Sequence, residues 1–305
     1  MRLANRIRSW LARIPRPEPA APAPASNDAL LRDLVQYMTA SKWFMVDRLE
    51  QAMPQPSSRQ CPLCKHAGPG ESFAVRESHC RFGGGRLIRH ACPDCGVIFG
   101  PSKMFALSED ELAEEYRWLY RFYREANSVE NEIRTFHHLA PRRDGVYLNF
   151  GAGAWSSSIA KLRGEGWNIF GFEPFADQAS EFVIRDWDQL RAMRFDGIMS
   201  NNLLEHLTDP IATFRLWRGI LNGPNATMAH STPCFEYLYA YTRFHLFFFT
   251  GRSMDLICDE TGFTGRKVQQ DGEYICHRFD DAVDAGAARR AGKLPAGKAA
   301  ALKAG

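Results

Sequence analysis

The stretch "YLNFGAGAWSSSIAKL", Tyr147 to Leu162, decides how this chain is read. A short apolar run, residues 146–150, leads into Gly151-Ala152-Gly153, and a helical pattern follows. A strand, a glycine turn and a helix together point backbone N–H groups and a helix N-terminus at a ligand. The third glycine of a dinucleotide fingerprint is absent, because Ala154-Trp155-Ser156 stands there. The next apolar run, "NIFGFEP", ends in Glu173, 22 residues after Gly151. An acidic side chain in that place accepts hydrogen bonds from both hydroxyls of a ribose. Two cofactor classes fit these residues. A dinucleotide needs a small residue at the third glycine position, where Ser156 just serves. S-adenosylmethionine carries no phosphate and is less strict about that position.

Outward from this turn, residues 145–280 alternate strand and helix. The strand candidates are 146–150, 168–172, 181–184, 195–200, 226–231, 264–269 and 273–279. The alternation predicts an α/β fold: a Rossmann-like, mostly parallel sheet with helices on both faces. Gln270-Asp271-Gly272 separates the last two candidates and predicts a hairpin that adds an antiparallel edge. Asn201 and Asn202 directly follow a strand, so they are expected in the crevice at the carboxyl ends of the sheet.

Before this region lie two tight cysteine pairs. Cys61-Pro62-Leu63-Cys64 and Cys92-Pro93-Asp94-Cys95 are separated by 27 residues. Thiolates at i and i+3 on a knuckle supply two ligands each, and four complete a tetrahedral zinc site with no open position. A small structural zinc ribbon held by Cys61, Cys64, Cys92 and Cys95 is therefore expected to precede the sheet. No continuous apolar core or small-residue cleavage site stands at the N-terminus, so the knuckles read as a metal site in a reducing, cytoplasmic setting. Four further cysteines, Cys80, Cys234, Cys258 and Cys276, are scattered.

The net charge is +3, unevenly spread. Residues 1–26 hold five arginines and one glutamate, and residues 283–305 hold five Lys/Arg and one aspartate, so the body between them is mildly acidic. That balance argues against a nucleic-acid-binding face across the body. Residues 1–14 place Leu3, Ile7, Trp10, Leu11 and Ile14 on one helical face with arginines largely opposite, a pattern suited to peripheral membrane contact. Residues 15–26 read as a Pro/Ala linker, and 283–305 as a disordered tail. Ser108 with Glu111 predicts a capping box opening a helical region over 108–138.

The sequence resembles the class I S-adenosylmethionine-dependent methyltransferases over about 140 to 280. The family's first motif aligns with Asn149 to Trp155, its second acidic anchor with Glu173, and its fourth strand and following motif with "FDGIMSNNLLEHLTDP", Phe195 to Pro210. "HLFFFTGRSMDLICDETGF", His245 to Phe263, matches its late helix and final strands. The ribbon ahead of such a core is similar to one branch, the bacterial sugar methyltransferases, although their C-terminal extra domain is missing. The resemblance implies S-adenosylmethionine held by Asn149, Gly151, Ala152, Gly153, Glu173, Asp186, Asn201 and Asn202. Asn149 stands in place of the family's acidic residue, and Trp155 in place of its third glycine.

The expected organisation is a basic segment and linker (1–26), a helix (27–56), the ribbon (57–102), a helical connector (103–140), the methyltransferase domain (141–282) and the tail (283–305). A hydroxyl acceptor must lose a proton as it takes the methyl group, and histidine suits that near neutral pH. His206, His245 and, ranked lower, His230 lie where the family's acceptor site falls. His206 and His245 are the catalytic candidates, and Tyr237, Tyr241 and Arg243 are candidates to shape the pocket. The expected activity is methylation of a small molecule, a sugar or nucleotide-sugar. The alternatives are a non-catalytic module binding a partner or a membrane, and an RNA methyltransferase.

Overall fold

The computed structural model describes residues 27–120, 123, 128–153, 157–174 and 180–282. The expectations for residues 1–14, the linker, the tail and Trp155 lie outside these residues.

The chain opens with α1 (Asn27–Ala52), whose Val35, Trp43 and Asp47 recur at helical spacing and are buried. Strands β1 (Ser58–Gln60) and β2 (Ala67–Pro69) pair antiparallel around the first knuckle. Strands β3 (Ala74–His79), β4 (Arg86–Ala91) and β5 (Ile98–Phe99) form a second small sheet, with the other knuckle between β4 and β5. The short α2 (Ser102–Phe105), α3 (Glu109–Tyr120) and α4 (Val129–His138) lead to the large sheet. The Ser108–Glu111 capping box is formed in both directions: the Ser108 N–H donates to the Glu111 carboxylate at 2.8 Å, and the Glu111 N–H donates to Ser108 Oγ at 3.3 Å.

The chain continues through β6 (Val146–Phe150), α5 (Ser157–Gly164), β7 (Asn168–Phe172), β8 (Val183–Ile184), α6 (Trp187–Ala192), β9 (Gly197–Asn201), α7 (Pro210–Ile220), β10 (Thr227–Ser231), β11 (Phe247–Phe248), α8 (Ser253–Thr261), β12 (Phe263–Asp271) and β13 (Tyr274–Asp281). Seven strands lie in the order β12-β13-β10-β9-β6-β7-β8. Strands β8, β7, β6, β9 and β10 run parallel, and β13 is antiparallel to both β10 and β12. The hairpin turns at Gly272, whose φ of 58° suits glycine. The sequence therefore runs from β6 outward to β8, then returns to β9 on β6's other side. That reversal opens a crevice between the carboxyl ends of β6 and β9, the place where ligands bind in open α/β sheets.

Strands of a parallel sheet are covered on both faces, so their residues are nearly all apolar. Phe136, Leu139, Tyr147, Ile159 and Ile169 fill one side. Phe150, Phe172, Phe214, Trp217, Phe263 and Phe279 are among those filling the other.

Strand β11 belongs to the ribbon sheet and not to the large one. Phe247 pairs with Phe99, and Phe248 pairs with Ile98. His245 was expected in a helical region. It lies instead in extended chain leading into β11, because Phe244 and the run from Leu246 to Phe249 are all buried. A continuously apolar run of that length is what a doubly covered strand needs. The second knuckle docks on the turn after β11. The Arg252 N–H donates to the Cys95 carbonyl at 2.8 Å, and Thr250 Oγ1 to the Gly96 carbonyl at 2.6 Å. Gly96 and Gly251 meet backbone to backbone, and a Cβ on either would sit 2.8 Å from the other's Cα. Buried ion pairs tie other segments together: Arg243 to Glu115 on α3 at 2.8 Å, and Lys103 on α2 to Asp47 on α1 at 2.6 Å.

His230 lies in this interior, on β10. Its ring stacks on Trp217 at 4.5 Å, and its Nδ1 is 2.8 Å from Ser200 Oγ. Burial, with nearby His277 adding to it, pulls its pKa down to about 3. An unfolded chain binds that proton at about pH 6.5, well before the folded one does. Stability is therefore present above pH 6.5 and is lost as pH falls toward the folded value, by at most about 1.4 kcal/mol per unit for one such group. Urea unfolding from pH 7.5 to 5 is expected to show this decline, and His230→Phe to flatten it. An unchanged slope in that variant would assign the acid sensitivity elsewhere.

Candidate active site

The glycine turn is built as its sequence requires. Gly151 and Gly153 have φ of 76° and 66°, a region that side-chain-bearing residues avoid. A Cβ on Gly151 would strike Leu203 at 2.8 Å, whereas one on Gly153 would meet nothing within 4 Å among the described residues. The described residues thus leave room beside Gly153 for a ligand to come close to the backbone. The Gly151 and Ala152 N–H groups donate to the Phe172 carbonyl, fixing the turn to the end of β7. Glu173 Oε2 accepts from the Gly153 N–H at 3.1 Å, so the acidic anchor lies against the turn.

Asn149 is 1% exposed, and its Nδ2 donates to Glu132 Oε2 at 2.9 Å. Ser158 Oγ also donates to that carboxylate, and Ser128 bonds its other oxygen. The amide oxygen of Asn149 has no hydrogen-bond partner among the described residues. A buried acceptor left open at the mouth of a crevice is what a cationic or N–H-bearing ligand would satisfy. Glu132 went unread in the sequence. It sits on α4, ahead of the glycine motif, and nothing in its local pattern marks it as facing β6.

Asn201 Oδ1 accepts from Ser231 Oγ at 2.7 Å, and that hydroxyl in turn meets Thr135 Oγ1 at 2.7 Å. Asn202 has a φ of 50°, a left-handed conformation that asparagine tolerates, and is exposed at the rim. Asp186 follows β8 and caps α6 by accepting from the Gln189 N–H at 2.7 Å. Beside it Trp187 packs edge-on against Phe172 and leaves 40% of its surface exposed.

A cavity of about 360 Å³ opens next to these residues. Asn201, Asn202, His206, Tyr241, His245 and Tyr274 are among its lining residues. His206 ends a tight turn, Leu204–His206, after β9. Its Nδ1 lies 3.1 Å from the Phe244 carbonyl and 2.8 Å from the Tyr116 hydroxyl. Nδ1 thus sits between an acceptor, the Phe244 carbonyl, and a hydroxyl that can donate or accept; with the proton on Nδ1 and bonded to the carbonyl, Nε2 keeps its lone pair. Burial holds the ring's pKa near 4, against a smaller opposing effect of the Phe244 hydrogen bond. The His245 ring lies 5.0 Å away, with Nδ1 3.4 Å from Cys234 Sγ. Both histidine candidates therefore meet at one cavity, whereas His230 is absent from its lining. Tyr241 lines it; Arg243 is buried on Glu115, and Tyr237 packs against Phe248.

The four knuckle cysteines converge. One sulfur from each lies within 4.8 Å of the other three. Cys61 and Cys95 are 3.9 Å apart and Cys64 and Cys92 3.5 Å. Four thiolates at about 2.3 Å from a tetrahedral zinc would be about 3.8 Å apart, so the donor set fits that ion.

Residues 120–268 match a family model described as a methyltransferase domain. No curated protein matches the chain significantly. Similar solved structures include the 1,6-didemethyltoxoflavin-N1-methyltransferase of Burkholderia thailandensis with bound S-adenosylhomocysteine, at 15% identity over 64% of this chain and 95% of that one, with a TM-score of 0.43. Another is the magnesium protoporphyrin IX methyltransferase of Synechocystis with S-adenosylmethionine bound, at 14% identity over 58% and 98%, with a TM-score of 0.35.

Proposed function

We propose that this S-adenosylmethionine-dependent methyltransferase methylates a small hydroxylated ring compound, of the sugar or nucleotide-sugar class, in the cavity beside its glycine turn. The observation that carries the reading is the juxtaposition of that cavity, with its His206 and aromatic walls, and the Gly151–Gly153 turn at one end of the sheet. Aromatic faces accept the apolar face of a saccharide ring, while Asn131, Asn202 and Glu273 at the wall offer partners to its hydroxyls.

The cofactor would lie over Gly151, Ala152 and Gly153. Its ribose would bond Glu173, its adenine edge would meet Asp186, and its amino-acid part would face Asn149, Asn201 and Asn202. Glu132 supplies the negative charge that the family's acidic residue would have brought to position 149. When bound, S-adenosylmethionine supplies an electrophilic methyl group on a sulfonium. The chain's own contribution is alignment of the acceptor and removal of its proton. His206 is the residue for the second task, with Nε2 free to accept and Nδ1 anchored on Phe244. A structural zinc held by Cys61, Cys64, Cys92 and Cys95 and a reducing, cytoplasmic setting complete the proposal.

Calorimetric titration with S-adenosylmethionine and turnover on a panel of sugars and nucleotide-sugars test it. His206→Asn is expected to lower kcat about 10²- to 10⁴-fold, the usual yield of a positioned general base, and to leave cofactor affinity in place. Absence of cofactor binding at millimolar concentration would overturn the enzyme reading. Turnover on the panel unaffected by His206→Asn would remove that residue from the mechanism.

A further inference from the structure

We propose that Glu205, Cys234 and His245 form a second metal site, separate from the knuckles, which holds a zinc-type divalent cation in the wall of the acceptor cavity. Three facts carry it. One ligand atom of each residue lies within 4.8 Å of the other two. Cys234 Sγ and His245 Nδ1 are 3.4 Å apart, and ligands at about 2.3 and 2.0 Å from a tetrahedral zinc would be about 3.5 Å apart. Glu205 and Cys234 are both fully buried, so a cation held between them would sit out of bulk water. A divalent cation with one carboxylate, one thiolate and one neutral imidazole has no net charge. The mixture of sulfur, nitrogen and oxygen suits zinc and excludes magnesium or calcium as the preferred ion.

The three residues come from two turns and the extended chain before β11, and the backbone holds each in place. Glu205 is in the turn after β9, and its carbonyl accepts from the Leu246 N–H at 2.7 Å, beside His245. Cys234 is in the turn after β10, its N–H donating to Thr232 Oγ1 at 3.0 Å. The buried Arg89 guanidinium donates to the Thr242 carbonyl at 2.7 Å and the His245 carbonyl at 3.3 Å, pinning the segment that carries the third ligand.

Three protein ligands leave a fourth position, the arrangement of a catalytic and not a structural zinc. Glu205 and His245 line the cavity, so that position opens toward the acceptor. The role that follows rests on the methyl-transfer reading above. The cation binds the acceptor hydroxyl oxygen and lowers its pKa. His206 takes the proton, the oxygen–methyl bond forms as the sulfur–methyl bond breaks, and S-adenosylhomocysteine leaves. His245 then serves as a ligand, and His206 alone as the base.

The test counts metal in the full-length protein, reloaded with zinc and dialysed. Wild type is expected to hold one more zinc per chain than Cys234→Ser, Glu205→Gln or His245→Asn. With cobalt in place of zinc, Cys234→Ser is expected to lose one thiolate's charge-transfer intensity and keep the four-thiolate bands of the knuckles. Those retained bands also show that the variant is folded. On wild type alone, a chelator is expected to release zinc in two steps, the open site first. Equal metal content in wild type and all three variants, or single-step release from wild type, overturns the site. Binding of S-adenosylmethionine is measured in parallel. Loss of cofactor binding with the metal count intact would reject the methyl-transfer reading and leave the metal site standing.

Discussion

Cys92→Ser is expected to abolish zinc binding at the knuckles and to unfold far more than the ribbon. Four cysteines converge with sulfur spacings suited to a tetrahedral ion. In small zinc modules the metal's binding free energy, about 10–16 kcal/mol, is also their folding free energy. The ribbon has little else. Strands β1 and β2 are three residues each, and the other small sheet has only two long strands, β3 and β4. The damage cannot stay local, because the second knuckle is bonded through Cys95 and Gly96 to Arg252 and Thr250. Strand β11, paired to β5, directly follows the cavity-lining residues Thr242, Phe244 and His245. Removing zinc should therefore displace His245 and disturb the acceptor cavity while leaving β6 and its glycine turn. The expected result is loss of one zinc per chain, a drop in Tm of at least 10 °C and turnover falling to background. Wild type stripped by a strong chelator should behave the same way and recover on adding zinc. Retention of full Tm and activity by a metal-free preparation would show that the ribbon folds without its ion.

Local features were legible in the sequence; contacts between distant segments were not. Gly151, Gly153 and Glu173 could be read because each answers to a short-range need: a positive φ, an open approach, a strand end 22 residues on. The edge hairpin was equally plain from Gln270-Asp271-Gly272 between two strand-like runs. The parallel sheet followed from alternation alone. Hidden features all depend on pairing across the chain. Glu132 reaches Asn149 from a helix that precedes the motif, and its own neighbours are ordinary helix formers. The run from Leu246 to Phe249 was read as part of a helical stretch, because a short apolar run carries no period to separate strand from helix. Its partner, Ile98–Phe99, lies on the far side of the knuckle that it helps to hold. Cys234 looked like a scattered thiol, and only the fold brings it to His245.

Glu173→Ala is expected to weaken S-adenosylmethionine binding by about 10²- to 10³-fold. A ribose offers two hydroxyls, and each bond to a carboxylate contributes about 1.5–3 kcal/mol, so losing two on a partly exposed site gives a deficit in that range. Glu173 also accepts from the Gly153 N–H, so the variant loosens the turn, and Glu173→Gln separates the two effects. The glutamine keeps a hydrogen-bond acceptor for Gly153 and loses the charge, and should sit between alanine and wild type. Glu132→Gln probes the other end of the same cofactor. Its carboxylate bonds Asn149 and Ser158 and is the acidic group beside the place where the methionine ammonium would lie. Removing the charge should raise the Kd for S-adenosylmethionine about tenfold or more, within the usual range for a hydrogen bond to a charged group. Adenosine, which lacks the ammonium, should bind Glu132→Gln as it binds wild type, while Glu173→Ala should lose affinity for both. Equal losses for both ligands in Glu132→Gln would mean that the residue only holds the helix against β6. Unchanged affinities in Glu173→Ala would show that the cofactor does not lie across this turn.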